Sequence, residues 1–297
     1  MSVAIFDELT RAELRGLTGS LVVVPIGATE QHGDGLPVMT DSAIVTHLAA
    51  RAGAIAGEST DVLLAPTVRV GVSGHHLPFG GTLTVTSDTF IHLLVDLGMG
   101  LRVQGFSRLL FLNGHGGNDA AMRVAVEQLA SSARPGESAG GISYWTAVGD
   151  LPASRFPTPG HAGGFETSAM LAIRPDLVAV PRPGALELRS LATDVVDGVH
   201  DVRPDVWLES DGVTDNAAGA RAEDGGRAGL VVAMEADAVD DAGGDGDRRQ
   251  REDRQGGDEA GVVEFAEVAL AAVGEGHEQR SGEDHGAREG AREAGVE

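Results

Sequence analysis

Two loops of this 297-residue chain hold the side chains whose types and spacing suit chemistry. The first carries Glu30 and His32 two positions apart, with Asp41 following; the second reads Asn113-Gly114-His115-Gly116-Gly117-Asn118. Side chains two apart in an extended segment lean to the same side, so Glu30 and His32 can face one centre. Two carboxylates and two imidazoles form an N/O ligand set suited to zinc, manganese or a similar divalent ion. A carboxylate such as Asp41 can bridge two ions about 3.5–4 Å apart, the spacing found in two-metal hydrolases. Gly114, Gly116 and Gly117 are expected to take positive φ and let backbone approach a ligand, which makes Gly116 a candidate substrate contact. Taken singly, each residue has a plainer reading: His115 as a surface or capping residue, Asp41 as a helix N-cap, Glu30 as a solvated charge. The metal reading gains its weight from two apolar runs that each end directly in such a turn.

The elements that must position these loops follow from the apolar pattern. Residues 21–26, 62–65 and 108–112 read as buried parallel strands, each stopping at a Gly-, Pro- or Asn-containing loop, with a weaker candidate at 141–145. Helical periodicity fills residues 41–56, 87–104 and 119–132, with Asp41, Ser87 and Asp119 near the starts as acceptors. Strands alternating with helices imply an α/β fold with a doubly wound, mostly parallel sheet. In such sheets ligands bind outside the carboxyl ends of the strands, where both loops fall.

Composition narrows the function classes. There is no cysteine, which excludes thiolate nucleophiles and Cys-based metal sites. The net charge of −23 speaks against nucleic acid or an anionic membrane surface as a partner. No apolar run approaches the roughly 20 residues of a membrane span, and the first residues do not resemble a signal peptide, so a cytoplasmic protein is expected. The charge is uneven: residues 221–297 hold 9 Arg against 21 Asp and Glu. That Gly/Asp/Glu/Arg-rich tail has too little apolar content to offset the entropy of ordering it. It is expected to be largely disordered or aberrant, with amphipathic pieces only at 230–239 and 262–273. The chemistry is then confined to a domain at 1–220.

Four motifs in order resemble the creatininase, or creatinine amidohydrolase, family: Glu30-Gln31-His32-Gly33 with Leu36-Pro37, then Asp41, then Asn113-Gly114-His115, then His161-Ala162-Gly163-Gly164-Phe165-Glu166-Thr167-Ser168. The resemblance implies a three-layer α/β/α fold with a central mostly parallel sheet. It also implies two divalent ions (zinc, manganese or iron), hydrolysis of a non-peptide or small amide C–N bond, and a homo-oligomer, commonly a hexamer. Carried over residue by residue, Glu30, Asp41 and His115 hold one ion, and His32 and Asp41 the other. Creatinine-hydrolysing members supply an acidic ligand two positions after the turn's histidine. Gly117 stands there in this chain, and Glu166 becomes the candidate replacement. The resemblance also assigns Ser73, Thr82 and Trp145 to substrate contacts, whereas Pro157 stands where a second pocket tryptophan would be.

The reaction so implied is attack of an activated water on an amide carbonyl. His161 is the expected proton donor to the leaving nitrogen, since imidazole titrates near neutral pH. Glu166 at the start of a helix has a plainer role as a first-turn charge. His75 and His76 read as entrance or solvated loop histidines, and His47 and His92 as structural. The Asn-Gly-His-Gly-Gly-Asn turn resembles two further branches of the family. One opens formamides; the other is the mycofactocin-system peptidase, which removes a short C-terminal piece from a modified peptide. The segment 75–79 ranks the peptidase branch second. A rival of another class is a non-catalytic nucleotide- or sugar-binding domain, with the same turn cradling a phosphate. It lacks the Lys and Ser/Thr of a P-loop.

Overall fold

The computed structural model describes residues 3–147 and 160–179, with short pieces between 195 and 225. Five strands form one parallel sheet: β1 (Val3–Ile5), β2 (Leu21–Ile26), β3 (Val62–Leu64), β4 (Arg108–Asn113) and β5 (Ser138–Ser143), in the order β1-β3-β2-β4-β5. Every residue of β2 is buried, as a strand sandwiched between helix layers requires. Its side chains alternate between two cores. Leu21 and Val23 pack with α2 (Thr40–Ala56) and α6 (Gly164–Ile173). Val22, Val24 and Ile26 pack on the other face with α3 (Ser87–Val103) and α4 (Asp119–Ser131). The result is a three-layer α/β/α arrangement.

The three strongest expected strands are present, within a residue of their expected ends. The fourth is shifted: pairing with β4 runs from Ser138 to Ser143, and Tyr144–Ala147 turns into a short helix, α5. The apolar bulk of Tyr144 and Trp145 packs against the core beyond the strand, while the paired residues before it are, apart from Ile142, only serine, alanine and glycine. Edge strand β1 carries too few residues to register as a pattern. The expected acceptors do not cap their helices. Thr86 caps α3 by accepting the Thr89 N–H at 3.2 Å, and no side chain caps α2 or α4. Asp41 and Asp119 lie in the first turns instead.

Past residue 220, Ala222–Gly225 forms a last short helix, α7, against α6, and the Arg221 N–H donates to Ser168 Oγ at 3.2 Å. The tail from 226 onward, with the helices expected in it, and Pro157 lie outside the described residues. Among the described residues no helix is long and apolar enough to cross a membrane.

Candidate metal centre

The chain runs from β2 outward to β3, then crosses back over to β4, so the connections diverge at the carboxyl ends of β2 and β4. That is the position at which open α/β sheets bind ligands. Ile26 and Asn113 end these strands in register, and the Gly114 N–H donates to the Ile26 carbonyl at 2.8 Å, joining the two loops. Asn113 then braces the second loop: its Oδ1 accepts the His115 N–H at 3.0 Å and its Nδ2 donates to the His115 carbonyl at 2.8 Å. Asn118 ties that loop to its neighbours, accepting from the Val72 N–H at 2.9 Å and donating to the Gly27 carbonyl at 3.0 Å.

Glu30, His32, Asp41, His115 and Glu166 are all buried and come together here. His115 Nδ1 lies 3.2 Å from Glu30 Oε1 and 3.0 Å from Asp41 Oδ2. His32 Nε2 lies 3.1 Å from Asp41 Oδ1 and 3.7 Å from Glu166 Oε2. Two triads result, Glu30–Asp41–His115 and His32–Asp41–Glu166, with Asp41 in both. A third, Glu30–His32–His161, brings in the remaining histidine of the motifs. Each ring is oriented from behind. His32 Nδ1 sits 3.1 Å from the Glu30 carbonyl and His115 Nε2 sits 3.1 Å from the Val72 carbonyl, which leaves the opposite nitrogen of each facing the carboxylates. Histidines that bind metals are oriented in this way.

Burial disfavours charge on His115, yet Glu30 and Asp41 outweigh it and raise the ring to about 10. His32 is likewise held well above the ordinary imidazole range, against its burial, by Asp41 and Glu166. Glu30 is buried too, and His115 and His76 hold it well below the usual carboxylate range. Burial, reinforced by Asp41 and opposed by His32, raises Glu166. In the metal-free chain, protons on two imidazoles thus balance buried carboxylates. The donor set fits divalent ions better. Glu30 Oε2 is buried with no hydrogen-bond donor among the described residues, and Glu30 Oε1 and Asp41 Oδ2 face imidazole nitrogens of the site. Buried carboxylate oxygens without donors are costly unless a cation compensates them.

Glu166 stands in the first turn of α6, as expected, and its Oε2 also accepts the Ala162 N–H at 2.6 Å. Ala162 has φ of 57°, a left-handed conformation unfavourable for a residue with a Cβ, between two site side chains. His161 Nε2 lies 2.7 Å from the Gln31 carbonyl and its Nδ1 lies 3.6 Å from Glu30 Oε1. Burial, with His32 and His76 nearby, pushes its pKa well below the usual imidazole value.

Ser73 is buried with its Oγ 3.2 Å from His115 Nε2. Thr82 Oγ1 accepts the Gln31 N–H at 3.1 Å, a loop-to-loop bond. Trp145 packs against the α2 side of the core, edge-on to Tyr144. The glycines correct an expectation, since none of Gly114, Gly116 and Gly117 takes positive φ. Gly114 is small because a Cβ would lie 2.7 Å from Val45 Cβ and 3.0 Å from the Asp41 carbonyl. At Gly117 it would meet the Val72 carbonyl, with His115 Nε2 at 2.5 Å, so no acidic side chain fits there. Gly116 alone is open.

Two site residues take roles that the sequence reading does not give them: Gln31, unassigned there, and His76, expected as an entrance or solvated loop histidine. His76 is buried with Nε2 3.3 Å from Glu30 Oε1. Gln31 contacts both His76 and His161. Strand-like alternation assigns Gln31 to the side opposite Glu30 and His32, and no periodicity marks a buried histidine in a 3-10 turn that contains Pro78.

The sequence model of the creatininase family, described as creatinine amidohydrolase, matches residues 7–239. A mycofactocin precursor peptide peptidase of Mycobacterium ulcerans is 38% identical over 176 residues, 58% of this chain and 65% of that protein. The chain therefore matches less than two thirds of that peptidase's length. A creatinine amidohydrolase of Pseudomonas putida is 30% identical over 205 residues, 61% of this chain and 76% of that protein. Solved creatininases in manganese and zinc–zinc forms superimpose with TM-scores of 0.61 at 22% and 23% identity, covering 92% of this chain and 100% of theirs. At that identity the likeness is one of fold. The matched motifs, the three-layer sheet and the family model agree: this chain belongs to the creatininase family.

Proposed function

We propose that this chain is a divalent-metal-dependent hydrolase of an amide C–N bond, with ions held by Glu30–Asp41–His115 and His32–Asp41–Glu166. The observation that carries this reading is the pair of buried triads sharing Asp41. Bound divalent ions would lower the pKa of water toward about 7 and polarise the substrate carbonyl. The protein's own part is orientation and proton handling. The Glu30 and Val72 carbonyls aim His32 and His115. A neutral His161 keeps its Nε2 proton on the Gln31 carbonyl, so Nδ1 is the nitrogen that takes the proton from the attacking water. It then returns that proton to the departing nitrogen, which is the donor role expected of it. Tyr144, buried and pushed up by burial and by Glu166 and Asp41, stays neutral beside them.

On the substrate, the similarity to a mycofactocin precursor peptide peptidase favours a peptide amide. The crowding at Gly117 supports the same preference, because a creatinine-type second ligand has no room there. This reverses the order in which the sequence alone ranks the two branches. A small non-peptide amide remains the second reading, supported by the 30% identity to a creatinine amidohydrolase. The phosphate-cradle alternative is weakened because Asn113 and Asn118 are engaged by backbone and Asp119 stands at the start of α4. The test is a hydrolysis panel with added Mn2+ or Zn2+, covering short C-terminal peptides, formamides and creatinine. Turnover of a peptide alone supports the first reading and turnover of creatinine alone the second. No turnover by metal-loaded protein on any of them contradicts both.

A further inference from the structure

Four imidazoles crowd the centre, and three obey one rule that the fourth breaks. His32, His115 and His161 each place one ring nitrogen on a backbone carbonyl, at 3.1, 3.1 and 2.7 Å. A carbonyl only accepts, so in the neutral ring that nitrogen carries the proton and the other turns its lone pair inward. His76 is different. Its outer nitrogen, Nδ1, lies 2.8 Å from Gln31 Nε2, and its inner one, Nε2, lies 3.3 Å from Glu30 Oε1.

The polarity of the Gln31 amide is settled by two backbone groups. The Gly33 N–H donates to Oε1 at 2.9 Å, and Nε2 donates to the Gly212 carbonyl at 2.8 Å. Reversing the amide would set donor against donor and acceptor against acceptor. An amide nitrogen has two hydrogens. One goes to Gly212 and the other to His76 Nδ1, which must accept it. His161 Nε2, 3.2 Å from the same amide, needs none because it already donates to a carbonyl. The turn at 211–214 is shaped around this group. Gly212 has φ of 75°, and a Cβ on it would lie 2.6 Å from Gln31 Nε2. Thr214 holds the neighbouring ring's backbone from both sides, accepting the His161 N–H at 2.7 Å and donating to the His161 carbonyl at 3.0 Å.

We propose that Gln31 is a positioning residue: by donating to Nδ1 it keeps the His76 proton on Nε2, so that His76 steadies the ligand Glu30 and does not itself bind an ion. A nitrogen that carries a proton has no lone pair for a metal, and a ring whose Nδ1 accepts a hydrogen bond cannot move its proton there. The functional meaning of this role rests on the metal-hydrolase reading; the proton pattern does not.

The experiment uses the full chain with 15N-labelled histidines, stripped of metal, and reads each ring's tautomer from long-range 1H–15N correlations. Zn2+ affinity is measured beside it. His76 is expected to carry its proton on Nε2 in the parent and on Nδ1 in Gln31→Glu, which keeps the shape and turns the donor into an acceptor. That variant should bind Zn2+ at least about tenfold more weakly, the range seen when outer partners of metal ligands are removed, with unchanged circular dichroism. If it fails to fold, Gln31→Met removes the donor without adding charge and should give mixed tautomers and a similar loss. A parent with the His76 proton on Nδ1, or a folded variant that binds Zn2+ as tightly as the parent, overturns the proposal. A parent that binds no Zn2+ sinks the hydrolase reading instead, and the tautomer spectrum still decides the role of Gln31.

Discussion

The two proposed ion positions share Asp41 but are built from different material. The first draws Glu30 and His115 from the ends of the two central strands, with contacts of 3.0–3.2 Å, and its Glu30 Oε2 has no donor among the described residues. The second draws His32 from the same loop but Glu166 from α6, 3.7 Å from the His32 nitrogen and already accepting the Ala162 N–H. One position is anchored in the middle of the sheet. The other depends on a helix that packs onto it from one side and on a left-handed residue, Ala162. The difference predicts unequal affinities, with the first ion held more tightly.

Breaking what the two positions share gives the largest effect. Asp41→Asn should remove both ions and lower activity by more than the roughly 10–100-fold that loss of an outer-shell partner brings. Elemental analysis of dialysed protein with a turnover assay checks it. Glu166→Gln sharpens the contrast: it should release the second ion, keep the first, and lower activity by about 10–100-fold. Loss of both ions in that variant would mean that the positions are not separable.

Acidity gives the next contrast. In the metal-free chain the folded state holds His115 at about 10, above the ordinary 6.5. A raised folded value contributes stability fully present below pH 6.5 and lost as pH rises through about 10. Metal-free protein should therefore lose stability across that window. Metal-loaded protein, whose ions displace those protons, should not, and binding should release protons and tighten as pH rises. Denaturant melts at several pH values with and without metal decide it.

The smaller effects are steric. Gly114→Ala pushes a methyl against Val45 and the Asp41 carbonyl and should destabilise by about 1–3 kcal/mol, as overpacking does. Ala162→Gly should change stability by under about 1 kcal/mol, since relief of the left-handed backbone offsets the added entropy of glycine. A larger loss would show that Ala162 packs in a way its dihedral angle does not reveal.

The same contrast accounts for what the sequence made legible. The strands at 21–26 and 108–113 announce themselves because both faces are buried, and the ligands at their ends are polar residues that interrupt apolar runs. Glu30, His32, Asp41 and His115 were readable for that reason. Glu166 was readable only through the motif around it, because an acidic residue in a helix's first turn has an ordinary explanation. The roles of Gln31 and His76 are not legible in the sequence: they form a chain of hydrogen bonds between loops up to 181 positions apart, which no local pattern encodes. The glycines stand out in the sequence as candidates for positive φ, but close packing is what requires Gly114 and Gly117.

The most direct measurement is the number of ions bound by the parent chain, followed through titration with Mn2+ or Zn2+ and repeated in Asp41→Asn. Two ions bound in unequal steps by the parent, and none by the variant, is the predicted result. A parent that binds no ion, or a variant that still binds one tightly, would contradict a centre built around a shared Asp41.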